Sequence, residues 1–301
     1  MRPVNIEGAR PTPEPHVCQA GLMDLEYSTM NVALTDGVAV VTLDHGHDRR
    51  DRQHQRISSG HPGFSQNARM ETTAVLLDFY GTLARATHWV SADDVLAEHG
   101  ATLSDHQRAI YFADGIDGIE HDEHSRSRDH YRSWQRDRTL AMLATTDVHP
   151  REYDTIIEKL HVGSSQRVLE PYDEVPEVLE GLRDRGIRIV ICSNWDWDLG
   201  EAVEEAGLTT AIDALVSSAW VGARKPHPRI FDAALSEARV TAAEAVFVGD
   251  TWGPDVEGPL TAGIRPLYLQ RDDHWPDSTA PQDFRDISVA PDLRSVLDFL
   301  G

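Results

Sequence analysis

Three short, largely apolar segments of this chain each end in a polar residue that is able to take part in chemistry. They are residues 74–77 followed by Asp78, residues 188–192 followed by Ser193, and residues 245–248 followed by Gly249 and Asp250. Short apolar runs of this kind are typical of strands buried on both faces of a parallel sheet. Because open α/β sheets bind ligands beyond the carboxyl ends of their strands, we expect these polar side chains at one edge of the sheet.

The pattern after residue 171 alternates between strands and helices. We predict helices over 173–185, 198–206, 228–238 and 291–300, and further strands over 214–217 and 264–269. Between about 85 and 170 the periodicity is helical, clearest at 91–99 and 131–143, and no segment there looks like a parallel strand. The alternation therefore predicts an α/β fold, a doubly wound parallel (Rossmann-like) sheet with a helical segment inserted after its first strand.

Lysine is rare in this chain, which draws attention to one position. Of the 28 lysine and arginine residues only Lys159 and Lys225 are lysines. Lys225 stands before Pro226 in a turn ahead of a predicted helix. A compact ammonium group and a forked guanidinium differ in chemistry, so we expect a lysine to be required at 225.

Two further features accompany the strand ends. Gly81 allows a sharp turn after Asp78, and Thr82 adds a hydroxyl group beside it. Asp255 follows Asp250 by five residues, and a helix N-cap would account for only one of these two acids. Carboxylate nucleophile, hydroxyl group, fixed cation and paired carboxylates are together what phosphoryl transfer through an aspartyl intermediate requires.

These motifs resemble those of the haloacid dehalogenase-like (HAD) hydrolase superfamily. The resemblance covers about residues 74–301 and rests on four segments in the superfamily's order: Asp78-Phe79-Tyr80-Gly81-Thr82-Leu83, the strand ending at Ser193, the turn at Lys225-Pro226, and Gly249-Asp250-Thr251-Trp252-Gly253-Pro254-Asp255. It implies that the inserted helical segment is a cap that closes over the active site, excludes water and selects the substrate.

The resemblance also implies a role for each site residue. Asp78 is the nucleophile, Ser193 donates a hydrogen bond to the transferring group, and Lys225 holds Asp78 ionised and binds phosphoryl oxygens. Asn194 orients Ser193 or contacts the substrate. The implied cofactor is Mg²⁺, a cation that prefers oxygen ligands. Its implied ligands are Asp78, the backbone carbonyl of Tyr80, Asp250 and Asp255.

Tyr80 departs from the phosphatase pattern. Most HAD phosphatases carry a second aspartate at this position, which protonates the leaving group and then activates water. The form Asp-x-Tyr-Gly-Thr occurs in the L-2-haloacid dehalogenases, which use no metal and lack the acid at the position of Asp250. We favour a Mg²⁺-dependent phosphatase and keep two alternatives, a dehalogenase in which Asp78 attacks carbon and a non-catalytic binding scaffold. Candidate replacements for the missing acid in the cap are Asp117, His121, Asp122, His124, Arg128 and His130.

The amino-acid composition limits the kinds of partner that the protein is expected to bind. The formal net charge of −22 argues against general nucleic-acid binding and against docking on anionic membranes. No run of 18 or more apolar residues is present, and residues 1–20 lack a signal-peptide core, so we expect a cytoplasmic protein. Cys18 and Cys192 are too few for a disulfide framework or a zinc site. The expected partner is a small-molecule phosphate ester, and the expected state is a monomer or homodimer.

Composition also divides the chain. Residues 1–69 contain proline-rich and His/Arg/Gln/Ser-rich stretches and are predicted to be a disordered extension, apart from a turn and strand at 36–43. Met70 directly precedes the first strand of the sheet and is a candidate start. We predict a catalytic core of residues 70–84 and 171–301, with the cap formed by residues 85–170.

Overall fold

The computed structural model describes residues 30–35, 38–43, 71–112, 116–271, 280–281 and 286–301. Contacts divide the chain into one unit of residues 1–60 and another of residues 61–301. In the first unit, β1 (Met30–Thr35) and β2 (Val38–Leu43) form an antiparallel pair. β2 agrees with the predicted strand, whereas β1 was not predicted. The remainder of the predicted disordered extension lies outside the described residues.

The second unit is built on a six-stranded sheet in the order β10-β9-β8-β3-β6-β7, in which every neighbouring pair is parallel. The strands are β3 (Ala74–Leu77), β6 (Arg188–Ser193), β7 (Ala214–Ser217), β8 (Ala245–Gly249), β9 (Arg265–Leu269) and β10 (Ser288–Ala290). β3 lies between β6 and β8, and Leu77 is level with Ile191 and Val248. This register places the ends of the three strands predicted to carry the site beside one another.

Helices cover both faces of this sheet, as the alternation predicted. They are α5 (Val175–Asp184), α6 (Leu199–Glu205), α7 (Ser218–Val221), α8 (Pro228–Ala238), α9 (Gly258–Thr261) and α10 (Ser295–Leu300). Val75 and Leu77 of β3 pack with Val178 of α5, whereas Leu76 packs with Phe231 of α8. Alternate residues of one strand thus face opposite layers, and their burial anchors the site-bearing strands.

The inserted segment is helical, as predicted, and has a core of its own. Its helices are α1 (Ala92–Glu98), α2 (Asp105–Tyr111), α3 (Arg128–Leu143) and α4 (Tyr153–Ser165). Ser91 caps α1 through a reciprocal bond with Asp94, which explains why the helix begins there. Leu96, Leu143 and Ile156 join a buried cluster distinct from the core of the sheet. The segment therefore packs as a compact body.

Several elements differ from the predicted pattern. β4 (Ala84–His88) and β5 (Val168–Pro171) form an antiparallel ribbon at the two ends of the helical segment, and neither was predicted. β10 was also missed, and α10 begins at Ser295 rather than at residue 291. Among the helices of the described residues, none is long and apolar enough to cross a bilayer.

Candidate active site

Asp78 lies at the end of β3, between the ends of β6 and β8. Its backbone N–H donates to the carbonyl of Val248 at 2.9 Å, and the residue is 7% exposed. The chain then turns at Gly81, whose φ of 84° is a conformation that favours glycine. Arg271 donates to the carbonyls of Gly81 and Thr82 at 3.1 and 2.8 Å. The turn that presents Asp78 is therefore held from two sides.

Lys225 lies between two carboxylates. Its Nζ donates to Oδ1 of Asp78 at 2.7 Å and to Oδ1 of Asp255 at 2.6 Å, and the residue is 1% exposed. Burial alone would lower the pKa of Lys225, but Asp255 and Asp78 raise it above its ordinary value. The ammonium group is therefore charged at neutral pH, and the requirement for a lysine at this position stays a prediction.

Asp250 and Asp255 follow β8, and both of their carboxylates lie close to that of Asp78. Thr82 Oγ1 donates to Oδ1 of Asp250 at 3.2 Å, and the backbone N–H of Thr251 donates to Oδ2 of Asp255 at 3.0 Å. A Cβ at position 249 would collide with the carboxyl group of Asp255, so only Gly249 allows this approach. Asp255 lies in a π-helical turn, Gly253–Glu257, a form that is frequent at functional sites.

Asp78, Asp250 and Asp255 form a buried carboxylate cluster with ligand oxygens within 4.8 Å of one another. Burial raises the pKa of Asp255 above its ordinary value, Lys225 opposes this shift, and the charges of Asp78 and Asp250 add to it. Burial likewise raises the pKa of Asp78. Within the described residues, Lys225 pairs with two of these three buried carboxylates, and the close approach of three acids gives the cluster the electrostatic character of a cation site.

Ser193 and Asn194 form hydrogen bonds with different parts of the site. Ser193 is 3% exposed and hydrogen-bonds the Asp78 carboxylate. The Asn194 amide accepts from the backbone N–H of Lys225 at 2.7 Å and donates to the Lys225 carbonyl and to Oδ1 of Asp117 at 3.0 Å each. Asn194 thus holds the lysine loop, whereas its predicted contact with substrate stays a prediction.

The helical segment contacts this lysine loop through its backbone. Residues 118–121 pair with residues 222–225 through three backbone hydrogen bonds. The N–H of Gly118 donates to the carbonyl of Lys225 at 3.0 Å, and the N–H of Arg224 donates to the carbonyl of Ile119 at 3.1 Å. The N–H of His121 donates to the carbonyl of Gly222 at 2.7 Å. The Lys225–Pro226 peptide bond is cis. The position of Lys225 is therefore fixed from the core by Asn194 and from the helical segment by a short strand-like contact.

An Asn194→Asp variant tests this positioning network. The introduced carboxylate faces the Lys225 carbonyl and Asp117, so we expect a loss of about 1–3 kcal/mol in the free energy of unfolding. Urea unfolding of this variant, of Asp117→Asn and of the double variant gives the coupling energy. We expect the double variant to be more stable than the sum of the single losses predicts, because the second change removes the facing charge. Strictly additive losses would show that the two side chains do not interact.

The candidate cap acids are mostly engaged with the protein. Burial is the largest of the effects that lower the pKa of His121 to about 4, which leaves its ring neutral. Asp117 bonds Asn194, and Asp122 pairs with Arg229. His124 stacks on Trp134. Arg128 pairs with Glu201, and His130 hydrogen-bonds Ser127. These contacts single out none of the six as the replacement acid.

The structure reveals residues near the site for which the sequence offered no decisive signal. Tyr80 is 38% exposed, and its ring lies 5.4 Å from that of Trp89 and 6.4 Å from that of Trp195, measured between centroids. From the sequence, His88-Trp89 is a candidate lining of the cap entrance, and Trp195 and Trp197 are candidates for the flank of the pocket, with core packing the favoured role for these two tryptophans. Asp117 and Arg271 reach the site from distant parts of the chain, so spacing alone did not identify them as supporting residues.

Comparison with known proteins yields one family. The model of haloacid dehalogenase-like hydrolases matches residues 72–263. The chain is 31% identical over 140 residues to haloacid dehalogenase-like hydrolase domain-containing protein 3 of Mus musculus, covering 46% of this chain and 56% of that protein. It is 35% identical over 126 residues to a phosphoserine phosphatase of Thermus thermophilus, covering 42% of this chain and 49% of that protein. The chain thus spans about half the length of the curated relatives it matches.

A solved structure supports the fold. A protein of Haemophilus somnus described as a predicted phosphoglycolate phosphatase superposes with a TM-score of 0.57 at 16% identity, covering 78% of this chain and all of that one (100%). At this level of identity the likeness concerns the fold alone. It agrees with the parallel sheet and flanking helices described above.

Proposed function

Because the chain belongs to the haloacid dehalogenase-like hydrolase family, we propose that it hydrolyses a small phosphate ester through a covalent intermediate on Asp78. The observation that carries this proposal is the contact of Lys225 with both Asp78 and Asp255 inside the buried carboxylate cluster. Similarity to a phosphoserine phosphatase supports phosphate chemistry. The substrate of this chain is left open beyond that class.

The carboxylate cluster fits Mg²⁺ as the cofactor. Its donors are hard oxygen ligands, their oxygens lie within 4.8 Å of one another, and Lys225 pairs with two of the three carboxylates, Asp78 and Asp255. Asp78, Asp250 and Asp255 would hold the ion, with the backbone carbonyl of Tyr80 as a further proposed ligand. When bound, Mg²⁺ supplies positive charge that offsets the repulsion between a carboxylate and a phosphate.

Each side chain of the site has its own role in the proposed reaction. A carboxylate oxygen of Asp78 attacks phosphorus, the bond between phosphorus and the ester oxygen breaks, and the leaving oxygen departs as an anion that takes a proton from solvent water. Water then attacks phosphorus, which returns the Asp78 carboxylate and releases inorganic phosphate. Lys225 favours ionised Asp78 and neutralises charge on the phosphoryl oxygens, and Ser193 donates a hydrogen bond to one of those oxygens. Thr82 holds Asp250 in position.

The missing aspartate at position 80 shapes this chemistry. A phenol is a much weaker acid than a carboxylic acid, so Tyr80 is a poor proton donor for an alkoxide. We therefore propose that turnover is slow for alkyl phosphates and faster for esters whose leaving group needs no protonation.

Tyr80 also favours the second candidate, an L-2-haloacid dehalogenase. There Asp78 would attack carbon and displace halide without a metal. The buried Asp250 weighs against this reading, because three buried carboxylates within 4.8 Å of one another repel each other and favour a bound cation. A non-catalytic scaffold is a third reading, and the contact of Lys225 with Asp78 weighs against it because pure binding has no need of a poised nucleophile.

Parallel assays distinguish the three readings. We would measure phosphate release from an aryl phosphate with Mg²⁺ and with EDTA, and halide release from 2-chloropropionate under the same conditions. We expect phosphate release that EDTA abolishes and Mg²⁺ restores, with no halide release. Halide release that survives EDTA would establish the dehalogenase. Binding of Mg²⁺ without any turnover would establish the scaffold.

A further inference from the structure

Two exposed aromatic rings flank the turn that carries the nucleophile. Tyr80 is two residues from Asp78, and Trp89 follows strand β4; they are 38% and 41% exposed. Their centroids lie 5.4 Å apart at an interplanar angle of 77°. We call these two rings the aromatic corner. Because the two rings are in contact and both stay partly open to solvent beside a buried polar site, they form an apolar patch of the kind found in ligand-binding grooves.

Buried rings hold the aromatic corner in place. Trp195 is 9% exposed and lies 6.0 Å from Trp89 and 6.4 Å from Tyr80, measured between centroids. Phe79, fully buried, meets Trp195 edge-on at 5.2 Å. Trp195 is two residues beyond Ser193, just as Tyr80 is two residues beyond Asp78. The corner is therefore anchored to the ends of both strands that carry the reacting groups.

The geometry of the corner suits a flat guest. Aromatic rings prefer offset stacking or edge-to-face contact. Because the rings of Tyr80 and Trp89 are nearly perpendicular, a planar ring that stacks on one of them makes an edge-to-face contact with the other. A flexible alkyl chain gains apolar contact here but neither of these directional interactions.

The position of the corner indicates which part of the substrate it meets. Asp78 attacks phosphorus in line with the leaving group, which therefore lies on the far side of phosphorus from the nucleophile. Asp78 is 7% exposed whereas Tyr80, two residues further on, is 38% exposed, so the corner lies at the open side of the site, toward which the leaving group extends when the phosphoryl group is held at Asp78. An aromatic leaving group departs readily without a proton, and it is also the group that two open rings bind best.

We propose that Tyr80 and Trp89 bind a planar aromatic leaving group, so that aryl phosphates are the substrate class of this enzyme. This inference rests on the proposed phosphatase function and narrows it. No aspartate donates a proton to the leaving group; instead, the two rings select a substrate whose leaving group needs no proton. Alkyl phosphates are disfavoured twice, by weaker contact with the corner and by the lack of an acid.

Binding of inert phosphonates tests the inference apart from turnover. Calorimetry on the full chain with Mg²⁺ compares phenylphosphonate with methylphosphonate. We expect phenylphosphonate to bind about tenfold more tightly. Trp89→Ala is expected to remove most of this preference, and Trp89→Phe to retain most of it. Equal affinities in the unaltered protein, or no binding of either, would overturn the inference.

A matched control separates the aromatic corner from general apolar contact. Phe112 is equally exposed, at 41%, and lies at the end of helix α2 in the inserted segment. Phe112→Ala is expected to leave the preference for phenylphosphonate intact, and loss of the preference in this variant would contradict a specific corner. Urea unfolding checks that each variant is folded.

Kinetics then distinguish failure of the inference from failure of the proposed function. Trp89→Ala is expected to raise KM for 4-nitrophenyl phosphate about tenfold and to leave KM for acetyl phosphate within about twofold, because acetyl phosphate has a good leaving group but no ring. Equal changes for both substrates would overturn the inference while leaving the phosphatase function standing. No phosphate release from either substrate would instead overturn the phosphatase function.

Discussion

Asp78→Asn is expected to lower phosphate release by at least about 10⁴-fold, because the amide cannot act as the nucleophile. The change is isosteric, and it removes one of the two carboxylates that contact Lys225. The fold is expected to survive, since Lys225 still pairs with Asp255 at 2.6 Å. Initial rates with an aryl phosphate and Mg²⁺, together with urea unfolding, measure the two effects separately.

An exposed carboxylate provides the control for this change. Asp232 lies on helix α8 and is open to solvent. Asp232→Asn carries the same chemical change and is expected to retain wild-type rates. If Asp78→Asn kept more than about a tenth of the activity, direct attack by water would replace the covalent route.

Lys225→Met is expected to abolish activity and to destabilise the protein by about 3–5 kcal/mol, because it leaves two buried carboxylates without their shared partner. Urea unfolding in EDTA measures the loss without help from a bound cation. The double variant Lys225→Met/Asp255→Asn removes one of the unpaired charges. We expect it to regain much of the stability but none of the activity.

The other lysine of the chain offers a matched control. Lys159 pairs with Glu98 on the surface, with 42% of its side chain exposed. Lys159→Met is expected to change stability and rates little, because exposed ion pairs are weak and screened by salt. An equal effect of the two substitutions would contradict a special role for Lys225.

Much of the fold was predictable because the buried strands are short apolar runs. The predicted strand 214–217 and helix 228–238 match the observed bounds, and β8 extends the predicted strand by one residue to Gly249. β4 was not predictable in the same way. Its residues, Ala-Arg-Ala-Thr-His, lack an apolar run, and it pairs with β5 about eighty positions later. Such a ribbon depends on tertiary contacts more than on local pattern.

The convergence of the site residues was also predictable, since parallel strands end at the same edge of a sheet. The structure brings Asp78, Lys225, Asp250 and Asp255 into one cluster, as the motifs predicted. The catalytic and metal-binding roles assigned to them stay predictions. Strand ends were enough to place Asp78 and Asp250, whereas Lys225 and Asp255 were placed by the resemblance to the superfamily's motifs.

The supporting residues were not predictable because their partners are far away in sequence. Asp117 reaches Asn194 across 77 positions, and Arg271 reaches the turn at Gly81 across 190 positions. Trp89 is a sequence candidate for the cap entrance, but its ring contact with Tyr80 is seen only in the structure. No local periodicity records these contacts, which arise from how the inserted segment returns to the core.

The covalent intermediate on Asp78 is the central claim, and rapid acid quench tests it most directly. The full chain would be mixed with Mg²⁺ and an aryl phosphate carrying a radiolabelled phosphoryl group, then quenched within one turnover and digested. We predict label on the peptide that contains Asp78, released by hydroxylamine as expected for an acyl phosphate and absent in Asp78→Asn. Phosphate release at the full rate with no label on that peptide at any quench time would contradict the account.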